Sequence, residues 1–150
     1  MAILAHYKMS GNPFDSYANN SGVAFGVEWV SSPLLGTDGE GVFKDAGARL
    51  EAGVQYSGED SAGVSIWFRA QSGSSVLFSQ HDGQSGLMLE VTPAGGLRMT
   101  VGDVVGDEVP IWRGGYHHAV LSYGDGAAVL YLDGLEVAGF ESPTEWPDLS

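Results

Sequence analysis

The rhythm of its apolar runs constrains this chain more than any single residue does. The runs "AILAHYKM" (2–9), "VAFGVEWV" (23–30), "ARLEAGV" (48–54), "GVSIWFRA" (63–70) and "SVLFSQ" (75–80) are strand-length and rich in β-branched or aromatic residues. They are followed by "GLMLEV" (86–91), "GLRMTVG" (96–102), "YHHAVLSY" (116–123), "AAVLYLD" (127–133) and "LEVAGF" (135–140). Turn signals separate them at about 8–12 residues, the spacing of an antiparallel sandwich or barrel. No segment keeps a helical apolar period over three turns, so helix is expected to be nearly absent. Most of the 23 glycines fall between the runs and not in one linker, which makes them turn punctuation. With 150 residues, no repeat and no shift of composition, the expectation is one all-β domain over 1–150. At that size folding buries about 68–70% of the unfolded surface, so the core needs no staple.

Three turns have a mechanism. Asp82-Gly83, Asp125-Gly126 and Asp133-Gly134 each place an Asp-Gly pair where a tight hairpin requires positive φ. Turn chemistry alone accounts for these aspartates; an ion-ligand role is the alternative for each.

Charge narrows the partners. Nineteen acidic against six basic residues give a formal −13, which repels nucleic acid and anionic membrane surfaces at long range. The carboxylates form either a solvated surface or ligands for a hard cation such as calcium. With no cysteine, disulfides, thiolate catalysis and sulfur-based zinc sites are excluded. The opening "MAILAHYKM" starts a strand at Ala2 and leaves no space for an export signal, so a complete chain of this kind is expected to be made in the cytosol.

Catalytic constellations do not emerge. His117 and His118 are adjacent on a strand and face opposite ways, so they cannot share a metal and are expected to be packed or hydrogen-bonded. His6 and His81 have no spacing that unites them. There is no G-x-S-x-G elbow, and no strand carries two acids on one face as a glycosidase would. The stretch from Asp38 fails as an EF-hand because Val42 stands where the third ligand belongs. Looser loop calcium sites remain: Asp38, Glu40 and Asp45, or Asp103, Asp107 and Glu108, with a plain charged patch as the alternative. Trp67 and Phe68 alternate, so one faces the core and the other the opposite surface. Trp112 in "PIWRGG" and Trp146 in "TEWPDL" lie at loop edges and are the candidates for contact with a sugar or another protein, with Tyr116 beside them.

"LAHYKMSGN", "DSYANNSG", "GVSIWFRAQ", "YHHAVLSYGDG" and "AVLYLDGLEVA" together resemble the concanavalin A-like, laminin G-like jelly-roll modules. The most specific stretch is 116–137, where Tyr116 stands for the usual tryptophan and "LYLDGLEV" follows the two histidines at the family's distance. The resemblance implies two stacked antiparallel sheets, framework histidines, and a groove or rim that in relatives binds sugars, proteins or calcium. Two departures matter. The family's closing strand has no counterpart after Phe140, which implies an exposed edge and a neighbouring chain to cover it. The family's calcium ligands cannot be matched one by one. The expected function is a non-catalytic interaction module of a virus particle, a bacteriophage capsid decoration or tail-associated protein working as a homo-oligomer or on other structural chains. The alternative is a carbohydrate-binding domain of a secreted protein, with calcium possible. A glycan-cleaving enzyme is disfavoured by the missing acid pair.

Overall fold

The computed structural model describes residues 22–32, 37–43, 49–51, 61–70, 74–81, 86–124 and 127–141. The chain divides into two compact units, Met1–Gln55 and Tyr56–Ser150. Every regular element among the described residues is a strand.

In the first unit β1 (Val23–Phe25) pairs antiparallel with β4 (Arg49–Glu51), and β2 (Glu28–Ser32) with β3 (Thr37–Val42). Residues 23–30 read as one run, but Gly26 turns the chain at φ 65° and divides it into β1 and β2. Arg49 stacks over Phe25, 4.2 Å from its centroid, and bonds Glu51 at 2.8 Å on an exposed surface where such pairs contribute little.

The second unit is an antiparallel two-sheet sandwich. One sheet runs β13 (Leu135–Glu141), β12 (Ala127–Leu132), β11 (Tyr116–Gly124), β5 (Ser61–Arg69). The other runs β6 (Ser75–His81), β7 (Gly86–Val91), β8 (Gly96–Val101), then β10 (Val109–Pro110), with β9 (Val104–Val105) also on β8. The pleat sends alternate residues to opposite faces, and the burial follows. Along β11, His117, Ala119, Leu121 and Tyr123 are buried while Tyr116, His118, Val120 and Ser122 are half-buried outside. Ala119, Leu121 and Tyr123 meet Phe68 of β5, Ala128 and Leu130 of β12, and the buried Leu87, Leu89, Val91, Leu97, Met99 and Val101 of the facing sheet in one core. At about 1.5–3 kcal/mol per fully buried large aliphatic side chain, this layer is the main source of stability.

Turn chemistry closes the hairpins. Asp133 at φ 52° and Gly134 at φ 86° form the two-residue turn between β12 and β13, as the Asp-Gly signal implies. Gly102 at φ 62° occupies the first central position of the turn between β8 and β9. The acidic stretch 102–110, read as a loop, instead returns along the edge of β8. Val104 and Val105 pair with Val101 and Thr100, Val109 with Leu97, and between them the Gly106 amide donates to the Met99 carbonyl at 2.9 Å.

Candidate functional site

The two histidines and the Asp-Gly turn prove to be one unit. His117 lies inside the sheet, its Nδ1 2.8 Å from Asp133 Oδ2 and its Nε2 2.7 Å from the Trp112 carbonyl. Both partners only accept hydrogen bonds, so satisfying both requires a proton on each ring nitrogen, which is the imidazolium. Burial pushes the pKa of His117 down; the hydrogen bonds to Asp133 and to the Trp112 carbonyl, with the charge of Asp133, outweigh it and hold the group above its ordinary 6.5. Burial likewise raises Asp133, but the bonds from His117 and the His118 amide, aided by the histidine charges, leave it below 3.8. Asp133 Oδ1 accepts the His118 amide at 2.8 Å, and the Asp133 amide donates to the His118 carbonyl at 2.8 Å. The histidines are thus hydrogen-bonded strand residues, and Asp133 both forms its turn and clamps the strand beside it.

That clamp presents Trp112. The segment between β10 and β11 is anchored by the His117 bond and by the Gly114 amide, which donates to the Ala70 carbonyl at 2.9 Å. The indole lies over Gly115, where a Cβ would sit 2.9 Å from the ring, and is 78% exposed. Tyr116 follows at the start of β11, with the Arg69 guanidinium 5.0 Å from its ring centroid.

A second exposed ring lies on the outer face of the same sheet. Trp67 on β5 is opposite His118 on β11, 58% exposed, and stacked on the imidazole with centroids 4.8 Å apart and planes 20° from parallel. Ser65 Oγ and His118 Nε2 are 2.7 Å apart. Sequence alternation left undecided whether Trp67 or Phe68 faces outward. The deciding signal is in "SIWFR": Ser65 and Arg69, two residues either side of Trp67, mark its face as the solvated one.

The carboxylates are dispersed. Asp103 follows Gly102 in its turn and is exposed; Asp107 is exposed between β9 and β10. Glu108 turns back to the 92–96 turn and accepts the Thr92 hydroxyl at 2.5 Å, while Thr92 Oγ1 accepts the Gly96 amide at 3.1 Å. Glu90 and Arg98, opposite each other on β7 and β8, form an ion pair at 2.7 Å. Among the described residues no three His, Asp or Glu side chains gather to hold a metal ion. Asp38 and Glu40 fall on β3, a strand where a loop was expected; their side chains, like Asp45 and Trp146, lie outside the described residues.

A two-sheet antiparallel sandwich of this kind is the architecture of a concanavalin A-like domain. The chain belongs to the concanavalin A-like lectin/glucanases superfamily: a laminin G-type family model matches residues 43–150, more than two thirds of its length. The expected jelly-roll resemblance is thereby shown. No curated protein and no solved structure matches the chain.

Proposed function

We propose that this domain is a non-catalytic recognition module that holds a partner on exposed aromatic and apolar groups, and that its setting is a virus particle, as a capsid decoration or tail-associated protein. The observation that carries the recognition reading is a division of labour among side chains. His117, Asp133, Glu90 and Glu108 are engaged in hydrogen bonds that fix strands and turns. Trp112 and Trp67 present large rings to solvent. Buried aromatic anchors dominate binding energy at protein interfaces, so such rings suit a fixed contact.

The particle setting draws on the apolar side chains of β13, where Leu135 is 70% exposed and Val137 also reaches solvent; they suit neighbouring chains of an assembly, copies of this one included. The test is immunogold labelling of particles from the source culture, with the mass of the purified chain in solution. Labelled particles or a closed oligomer support it; a strict monomer that labels no particle refutes it.

Exposed indoles on a lectin-type sandwich favour a second reading, a carbohydrate-binding domain in an extracellular setting, because ring faces match the apolar faces of pyranoses. A glycan array probed with the purified domain, in calcium and then in chelator, tests it. Silence across the array refutes this reading, and turnover of any β-glucan by the same preparation refutes the non-catalytic one.

A further inference from the structure

Both ring nitrogens of His117 meet oxygens that only accept hydrogen bonds, Asp133 Oδ2 at 2.8 Å from Nδ1 and the Trp112 carbonyl at 2.7 Å from Nε2. The imidazolium serves both, whereas neutral imidazole has one N–H for two acceptors. The charged acceptor makes the stronger bond, so the remaining proton stays on Nδ1 with Asp133. The Nε2 lone pair is then left facing the Trp112 carbonyl oxygen, and attraction becomes repulsion. Among the described residues, the other groups around the ring do not change this choice. Phe68 of β5 lies against it with centroids 5.7 Å apart, and the facing sheet brings apolar side chains to the core. His118 turns to the outer face, toward Ser65 and Trp67, while Arg113 has its Nη2 3.5 Å from the Thr92 carbonyl. Asp133, from the β12–β13 turn, is the charged group bonded to the ring.

We propose that His117 is a proton-operated catch on the segment 111–115, tying down the backbone beneath Trp112 when protonated and releasing it when neutral. The catch needs no partner and works whichever one Trp112 meets. The indole, 78% exposed, lies over Gly115 of the same segment, so it moves with the backbone that carries it. Gly114, at φ 86° with no atom within 4 Å of the place a Cβ would take, gives that backbone its freedom. A neighbouring tie is the Gly114 amide, which donates to the Ala70 carbonyl at 2.9 Å. Burial works against the imidazolium, but the bonds to Asp133 and the Trp112 carbonyl outweigh it and keep the His117 pKa above its ordinary 6.5. The closed segment therefore holds the proton more tightly than the open one. Closure through this bond is fully present below pH 6.5 and is lost as pH rises through the folded value. A contact made through Trp112 is accordingly firmer on the acid side.

The test is amide hydrogen exchange of the full chain, followed by NMR from pH 5 to 9 and read as protection factors, so that the intrinsic base catalysis of exchange is divided out. Protection of the Gly114 amide should fall about tenfold or more across the alkaline transition, the factor expected for losing a hydrogen bond to a charged group. The Gly102 amide, bonded to the Gly86 carbonyl at 2.8 Å on the other sheet, should keep its protection. Asp133→Asn separates a proton switch from a merely structural bond. Once His117 is neutral, the asparagine oxygen can accept the His118 amide while its nitrogen donates to Nδ1, which places the ring proton on Nε2 for the Trp112 carbonyl. In that variant Gly114 protection should hold or rise toward pH 9, the reverse of wild type. Should the variant fail to fold, the wild-type comparison of Gly114 with Gly102 decides alone. Wild-type protection at Gly114 that stays level from pH 5 to 9 overturns the catch, as does a fall that Gly102 shares or that Asp133→Asn reproduces.

Discussion

Asp133→Asn tests the clamp that joins the two histidines to the β12–β13 turn. Asparagine accepts the left-handed backbone found there, φ 52°, so the turn survives and only the charge is lost. The single amide oxygen then has to serve both His117 Nδ1 and the His118 amide, which the two carboxylate oxygens now serve separately. A hydrogen bond to a charged group contributes about 1.5–3 kcal/mol, and with Asp133 49% exposed, solvent screening reduces that, so a loss of about 1–2 kcal/mol is expected near pH 6. The pH dependence carries the signature. The His117 pKa is raised above 6.5, so its contribution is fully present below 6.5 and disappears as pH rises through the folded value. Asp133 is lowered below 3.8, so its contribution is present above 3.8 and disappears as pH falls through the folded value. The pair therefore stabilises most between pH 3.8 and 6.5. Urea unfolding of wild type and Asp133→Asn across pH 4–9 should give a difference that is largest in that window and shrinks above it. A difference that stays level or grows on the alkaline side refutes the argument, as would nitrogen chemical shifts showing His117 as a neutral tautomer at pH 6.

Three other outcomes concern the core, the turn and the β13 surface. Leu121→Ala removes a fully buried side chain from the centre of the core and should cost about 2–5 kcal/mol in urea unfolding. Gly134→Ala meets no atom within 4 Å but must hold φ 86°, so its cost, about 1–2 kcal/mol in thermal unfolding, should be purely conformational, and the sheet should keep its circular dichroism. Leu135→Ser should leave the melting temperature within about 2 °C of wild type, since surface changes stay near 0.5 kcal/mol, while lowering any self-association seen by sedimentation.

Legibility in the sequence followed the strength of the local signal. β7, β8, β11 and β12 stood out because unbroken apolar stretches end at glycine or Asp-Gly corners, and they fall within a residue of their expected limits. β3 did not, because "TDGEGV" has the composition of a turn and becomes a strand only by pairing with β2. β9 and β10, two residues each, are below the length at which periodicity exists. The outward place of Trp67 was open to a reader who weighed Ser65 and Arg69 with it. The Asp133 clamp was not, because it joins residues 15 and 16 positions apart through cross-strand geometry that no spacing rule encodes. The expectations for strand 2–9, the Asp82-Gly83 and Asp125-Gly126 turns, Asp45 and Trp146 fall outside the described residues.

The broken return of 102–110 along β8 gives the five-stranded sheet a polarity. A strand from a neighbouring molecule arriving on that flank finds two short couples already bonded to β8, with Gly106, Asp107 and Glu108 interrupting the ladder between them. Lateral growth is discouraged there by geometry and by like charge together, and because a head-to-tail filament of sheets needs both edges of each sheet, a defence on this single flank is enough to interrupt it.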